Sequence, residues 1–258
     1  MMSIDRRRFL VTASALAAAT GAFGGIAAAL AQAKIKIDAK SVLVVVDVQN
    51  CFLPGGSLAV GKGEEVIPII NRLGKSFANV VMTQDWHTPG HASFASSHPG
   101  KKPYETTRLR YGTQVLWPEH CVQGSTDAEL HEDLDLPHAQ LVIRKGFHKD
   151  IDSYSAFMEA DRKTTTGLAA YLEARGIREC YVVGLATDFC VAWTAIDARG
   201  AGFKCAVVED ACKAIDLDGS LEKAWAAMST AGVKRVQSSA ILGRRRGRGL
   251  ELARRPML

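Results

Sequence analysis

Between residues 41 and 236 two kinds of hydrophobic pattern alternate along the chain. Short continuous runs of apolar and β-branched residues, such as Ser41-Val42-Leu43-Val44-Val45-Val46, predict strands buried on both faces of a parallel sheet. Further runs of this kind are Asn79–Thr83, Gln140–Ile143, Cys180–Val183 and Phe203–Val208, with a short sixth strand at Val233–Val236. Between them, apolar positions recur at three- and four-residue spacing, which predicts helices over Glu64–Phe77, Thr166–Arg175, Ala192–Arg199 and Ser220–Ala231. Gly176 closes the second of these and Gly232 is the C-cap of the last. Residues 88–137 carry neither pattern, hold several prolines, glycines and histidines, and form a loop of functional length.

Strand and helix in alternation, with right-handed crossovers, predict a three-layer α/β fold. Its core is a mostly parallel sheet of about six strands with helices on both faces. At 258 residues and 47% hydrophobic composition the chain is long enough to bury such a core.

Charge changes the picture only at the ends. The net charge of +5 suggests an acidic partner, but Arg6, Arg7 and Arg8 lie near the start and six arginines follow Gly243. The body between them is slightly acidic, so no nucleic-acid-binding face is expected there. Asp5-Arg6-Arg7-Arg8-Phe9-Leu10, an uncharged Ala/Gly-rich run and Ala31-Gln32-Ala33 together resemble a twin-arginine export signal, with an uncleaved anchor as the rival. The expected organisation is an export signal over 1–33, a catalytic domain over 34–243 and a solvated, disordered arginine-rich tail over 244–258. The mature chain then starts near Lys34 and works in the periplasm or outside the cell, with no stable membrane insertion once the signal is cut. Six cysteines in that compartment raise the question of disulfides. Their pairing is not deducible from spacing, and twin-arginine substrates, typically folded before export, favour free thiols.

Candidate chemistry gathers where strands end. Ligands of open parallel sheets bind beyond the carboxyl ends of the strands, and four strands end there in reactive groups: Asp47, Asp85 with His87, Lys145, and the loop into Cys190. Asp47 alone reads as a turn residue and Lys145 alone as a solvated strand end. Together with Cys190 they supply a base, a cation and a nucleophile. Cys190 stands at the entry of a helix, whose free N–H groups and dipole favour a thiolate and can hold an oxyanion. Asp85-x-His87, with His91 nearby and His120 in the long loop, offers oxygen and nitrogen donors that suit zinc, iron or manganese. The remaining histidines are read as surface residues.

Six segments carry a resemblance, in family order, over about residues 40 to 237. They are Val46-Asp47-Val48-Gln49-Asn50-Cys51-Phe52, Gln84-Asp85-Trp86-His87, Trp117-Pro118-Glu119-His120-Cys121-Val122, Arg144-Lys145-Gly146, Asp152-Ser153-Tyr154-Ser155-Ala156-Phe157 and Gly184-Leu185-Ala186-Thr187-Asp188-Phe189-Cys190-Val191. They resemble the nicotinamidase/pyrazinamidase branch of the isochorismatase-like cysteine hydrolases. The resemblance implies Asp47, Lys145 and Cys190 as catalytic trio and the backbone N–H groups of Ala186 and Cys190 as oxyanion hole, beside a non-proline cis peptide. It implies Asp85, His87 and His120 as ligands of a divalent metal, zinc foremost, with His91 a ligand in only some members. Phe52, Trp117 and Tyr154 are implied as aromatic walls around a pyridine ring whose nitrogen meets the metal. The implied reaction is hydrolysis of nicotinamide, and of pyrazinamide, through a cysteine thioester that a metal-assisted water cleaves. A metal-free amidase of the same family acting on a carbamoyl or ureido compound is the alternative, and a periplasmic metal- or ligand-binding protein the alternative from another class. Self-association as a homo-oligomer is also expected. Export departs from the family, most of whose members are cytoplasmic.

Overall fold

The computed structural model describes residues 34–243. The export signal and the arginine-rich tail expected from the sequence lie outside the described residues.

In chain order the elements are β1 (Ser41–Val46), α1 (Ile67–Gly74), β2 (Asn79–Asp85), β3 (Thr106–Leu109), β4 (Gly112–Val115), β5 (Leu141–Lys145), α2 (Leu168–Ala174), β6 (Glu179–Leu185), α3 (Ala192–Gly200), β7 (Lys204–Lys213), α4 (Ser220–Thr230), β8 (Lys234–Val236) and α5 (Ser238–Leu242). Six strands form one parallel sheet in the order β5-β2-β1-β6-β7-β8. β1 is buried at every position because both sheet faces are covered, which is why its sequence is unbroken Val and Leu rather than alternating. Leu43 and Val45 pack with Ile70 and Leu73 of α1 on one face. Val42, Val44 and Val46 pack with α2, α3 and α4 on the other through Leu168, Leu172, Ala195 and Met228. Chain order along the sheet reverses at β1, with β2 on one side and β6 on the other. A crevice therefore opens beyond the carboxyl ends of β1 and β6.

The differences from the predicted elements have local causes. The first helix splits into a 3-10 turn over Gly63–Val66 and then α1, whose first turn holds Pro68, a residue suited to a helix start and not to its middle. Glu209 and Asp210 do not end β7. After a register shift its second half pairs with the end of β6, Gly184 against Cys212 and Leu185 against Lys213. Gly184, at φ +112°, lies so close to β1 that a Cβ would stand 2.1 Å from the Val46 carbonyl oxygen. The segment 88–137 is not structureless: β3 and β4 form an antiparallel hairpin within it. Cys51 and Cys121 are joined in a disulfide with Cα atoms 5.7 Å apart, contrary to the preference for free thiols, while Cys180, Cys190, Cys205 and Cys212 are free and buried.

Candidate active site

Asp47 is the first residue after β1 and adopts φ +49°, a left-handed conformation that aspartate tolerates better than most side chains. The turn carries its carboxylate into the sheet edge, where it is fully buried. Thr83 Oγ1 donates to its Oδ1 at 2.5 Å. Lys145, at the end of β5, places Nζ 2.8 Å from Asp47 Oδ2, 2.8 Å from Asp85 Oδ1 and 3.4 Å from Cys190 Sγ, and donates to the Ser153 carbonyl at 3.1 Å. Beyond this ion pair Asp47 Oδ2 has no partner, which leaves it able to accept a proton. Three segments, the ends of β1 and β5 and the turn after β6, thus deliver one carboxylate, one ammonium and one thiol to a single point.

Cys190 sits in a π-type turn, Thr187–Val191, that leads into α3. The Ala186 carbonyl accepts from both Phe189 N–H and Val191 N–H at 3.1 Å, and the Leu185–Ala186 peptide bond is cis. Burial, aided by the Asp47 and Asp85 carboxylates, pushes the Cys190 thiol well above its ordinary value despite the Lys145 charge beside it. The thiolate expected from the helix entry is therefore not the resting form; the thiol is neutral until a base takes its proton. Burial also raises Asp47, with Asp85 adding to it and Lys145 opposing. For Lys145 burial acts downward, but the Asp47 and Asp85 carboxylates outweigh it and hold the ammonium charged.

Asp85 closes β2 and His87 follows two residues later, while His120 comes from the long loop. His87 donates Nδ1–H to the Gly146 carbonyl at 3.0 Å and His120 donates Nδ1–H to the Pro118 carbonyl at 2.8 Å, the tautomers that these acceptors impose. Each imidazole then turns its Nε2 lone pair to Asp85 Oδ2, at 3.2 and 3.5 Å. Two imidazole nitrogens and a carboxylate oxygen meeting in a buried space suit a cation, and histidines held through their second nitrogen are the usual form of metal ligand. The donor atoms lie within 4.8 Å of one another, so the residues fit a divalent ion. Gly146, at φ +69°, makes room for this set, since a Cβ there would stand 2.6 Å from His87 Cε1.

His91 is not brought to that group. Its Nδ1 pairs with Ser93 Oγ at 2.7 Å and its Nε2 with the His148 and Ile151 carbonyls at 3.0 and 3.2 Å, so both ring nitrogens are taken. It buttresses His87 from 4.4 Å between ring centroids, and with His87 and Asp152 forms a second cluster of donor atoms.

A narrow cleft opens beside the trio and the histidines. Phe52, Trp117, Tyr154, Ala186 and Cys190 are among the residues that line it. Trp117 Nε1 donates to the Tyr154 hydroxyl at 2.9 Å, which fixes both rings. Sequence reasoning missed Phe189, edge-on to Trp117 at 4.8 Å, and the apolar Leu58 and Ile215. Phe189 was legible as the residue before Cys190 on a tight turn. Leu58 and Ile215 lie in loops with no periodicity to mark them. Gln114 was missed as well: its amide donates to Asp152 Oδ2 at 2.6 Å and approaches the Tyr154 hydroxyl at 3.0 Å.

Residues 41–240 match the isochorismatase domain family. The chain is 64% identical over 200 residues to the nicotinamidase of Acinetobacter baylyi, covering 78% of this chain and 94% of that one. Among solved structures, yeast nicotinamidase Pnc1p bound to the inhibitor nicotinaldehyde is similar with a TM-score of 0.71 at 35% identity, over 76% of this chain and 99% of that one. The pyrazinamidase of Pyrococcus horikoshii in complex with zinc is similar with a TM-score of 0.63 at 34% identity, over 77% and 99%.

Proposed function

The chain belongs to the isochorismatase family, and we infer from its site and its relatives that it is a nicotinamidase, an amidohydrolase that converts nicotinamide to nicotinate and ammonia. The observation that carries the reading is Lys145 Nζ lying within 3.4 Å of both a buried carboxylate and a buried thiol at the floor of an aromatic cleft. Its aromatic lining, Phe52, Trp117, Tyr154 and Phe189, suits a flat ring.

In the proposed mechanism Asp47 takes the proton of the neutral Cys190 thiol and Sγ attacks the carboxamide carbon. The oxygen that gains charge is held by the backbone N–H groups of Ala186 and Cys190. As the C–N bond breaks, Asp47 returns its proton to the nitrogen, which leaves as ammonia. A thioester to Cys190 remains. Water then adds to its carbonyl carbon, giving one proton to Asp47; the C–S bond breaks, the Asp47 proton returns to sulfur, and nicotinic acid leaves, losing its remaining proton to solvent as nicotinate. Lys145 stays charged throughout and stabilises whichever of Asp47 and Cys190 is anionic. Asp85, His87 and His120 hold the divalent metal, for which zinc is the proposed identity ahead of iron or manganese. When bound, the metal would supply Lewis acidity to the site. Phe52, Trp117 and Tyr154 sandwich the ring and exclude water from it. Pyrazinamide, which places the same carboxamide on a similar ring, is the proposed second substrate.

Replacing Cys190 by Ala removes ammonia release from nicotinamide, a loss of at least about 10⁴-fold; turnover retained by that variant refutes the mechanism. The metal-free alternative is separated by chelation: activity disappears and returns with added zinc, whereas indifference to chelator favours that alternative.

We further propose that the chain is exported through residues 1–33 and acts in the periplasm or outside the cell. The twin arginines, the uncharged run and Ala31-Gln32-Ala33 support this. Mass spectrometry of the mature N-terminus tests it, with Lys34 or a near neighbour as the expected first residue. Self-association is also proposed, supported by exposed Val142 on edge strand β5 and exposed Phe147 just beyond it. Light scattering decides it.

A further inference from the structure

Two of the three proposed metal ligands are fixed by the central sheet, since Asp85 closes β2 and His87 follows directly. The third is not. His120 stands in residues 116–136, which hold no strand or helix beyond the 3-10 turn Thr126–Ala128. Phe52, a wall of the cleft, likewise lies outside the sheet, in a 3-10 turn after β1.

These two loops are covalently joined at one place, Cys51 bonded to Cys121. Each cysteine is the chain neighbour of a site residue, so the bond joins residues 51–52 to residues 120–121, and the Phe52 and His120 rings face each other at 5.6 Å. Both cysteines are fully buried. Cys121 also takes φ +48°, and its carbonyl accepts from His87 N–H at 3.0 Å, so its backbone registers the loop against the other imidazole ligand. Around the bond the loops are joined otherwise by apolar packing and by hydrogen bonds: Asn50 N–H to the Glu129 carbonyl at 3.0 Å, Asn50 Nδ2 to the Thr126 carbonyl at 2.8 Å, Gln49 Nε2 to the Ala128 carbonyl at 2.8 Å, His131 N–H to the Val48 carbonyl at 3.0 Å and Ser57 Oγ to Asp127 Oδ2 at 2.6 Å. No other disulfide occurs among the described residues.

We propose that the Cys51–Cys121 disulfide is a positioning cross-link of the active site, which clamps the loop of His120 to the end of β1 so that the third metal ligand and the Phe52 wall are set together. Cys51 and Cys121 touch neither substrate nor metal; they act through their neighbours. Forming the bond takes two protons and two electrons from the two thiols, accepted by a disulfide-exchange oxidant that is itself reduced to a dithiol. Its depth makes it a bond set during folding and not a surface switch. The inference rests on Asp85, His87 and His120 as the metal-holding group.

The test uses the full chain purified without reductant. Alkylation after denaturation, followed by peptide mapping, is expected to find Cys51 linked to Cys121 and the four other cysteines alkylated; Cys51 and Cys121 both recovered as free thiols overturn the proposal. Zinc affinity is then measured by competition with a chromophoric chelator for the wild-type chain and for the Cys51→Ala/Cys121→Ala variant, with circular dichroism confirming the fold. The variant is expected to bind zinc about tenfold or more weakly, the size typical of disturbing a ligand's support, and to show a raised KM for nicotinamide. Equal affinity in a folded variant overturns the proposal while leaving the metal reading intact. A wild-type chain that binds no zinc overturns the metal reading, and the proposal with it. If the alanine pair does not fold, Cys51→Ser/Cys121→Ser is measured in its place, and the thiol count on the wild-type chain stands regardless.

Discussion

Thr83 shows how much of the site is set by one hydroxyl. Its O–H donates to Asp47 Oδ1, a bond that favours the ionised carboxylate and offsets part of the upward pull of burial. Asp47 must be ionised to take the Cys190 proton, so activity rises with pH through the raised Asp47 value. Thr83→Val removes the bond and keeps the shape, so the acid limb of the kcat/KM profile moves to higher pH and activity at low pH falls, while the plateau changes less. A profile whose acid limb does not move contradicts this role for Thr83. Gly146 makes a second case. Its left-handed φ and the 2.6 Å gap between a Cβ and His87 Cε1 mean that Gly146→Ala must displace His87. Zinc affinity, read by chelator competition, is expected to fall by about 10- to 100-fold.

Among the elements, the β3–β4 hairpin has a function its sequence does not advertise. It contributes nothing to the main sheet, yet Gln114 on β4 reaches Asp152 and the Tyr154 hydroxyl, to which Trp117 also donates. The hairpin thereby holds two of the three predicted aromatic walls through one buried amide. Gln114→Leu leaves Asp152 and Tyr154 without that partner, at a stability cost of about 1–3 kcal/mol. Steady-state kinetics on nicotinamide should show KM raised several-fold and kcat changed less, because the walls and not the trio are disturbed. A fall in kcat alone places Gln114 in the chemistry instead.

For the molecule as a whole, the sheet and the disulfide divide the task of stability. β1, buried at all its positions and paired on both sides, makes the central layer self-sufficient. The long loops that carry Phe52 and His120 bury less of themselves and are closed by a bond spanning 70 residues. Losing it costs roughly 2–4 kcal/mol, or a Tm lower by roughly 5–15 °C for a domain of this size. Differential scanning calorimetry of the Cys51→Ala/Cys121→Ala variant checks the figure, and a Tm unchanged within about 1 °C excludes it. Such a bond suits an oxidising compartment, in keeping with the proposed export.

The strands were legible in the sequence because a parallel sheet covered on both faces demands unbroken apolar runs, as in Val42–Val46. Asp47, Asp85, Lys145 and Cys190 were legible because each follows, ends or leads out from such a strand, where backbone geometry alone selects one edge. The sequence also determined the chemical types available: a thiol, a base, an ammonium, and donors for a metal. What only the tertiary structure decided are the contacts between segments with no shared periodicity. Spacing could not say that Cys51 pairs with Cys121, that carbonyls and Ser93 occupy both nitrogens of His91, that Ile215 reaches the cleft, or that Gln114 braces its Tyr154 wall. Nor could it say that Cys190 rests as a thiol. A helix entry is local and favours the anion, whereas desolvation depends on everything packed around the sulfur, and only the folded chain fixes that.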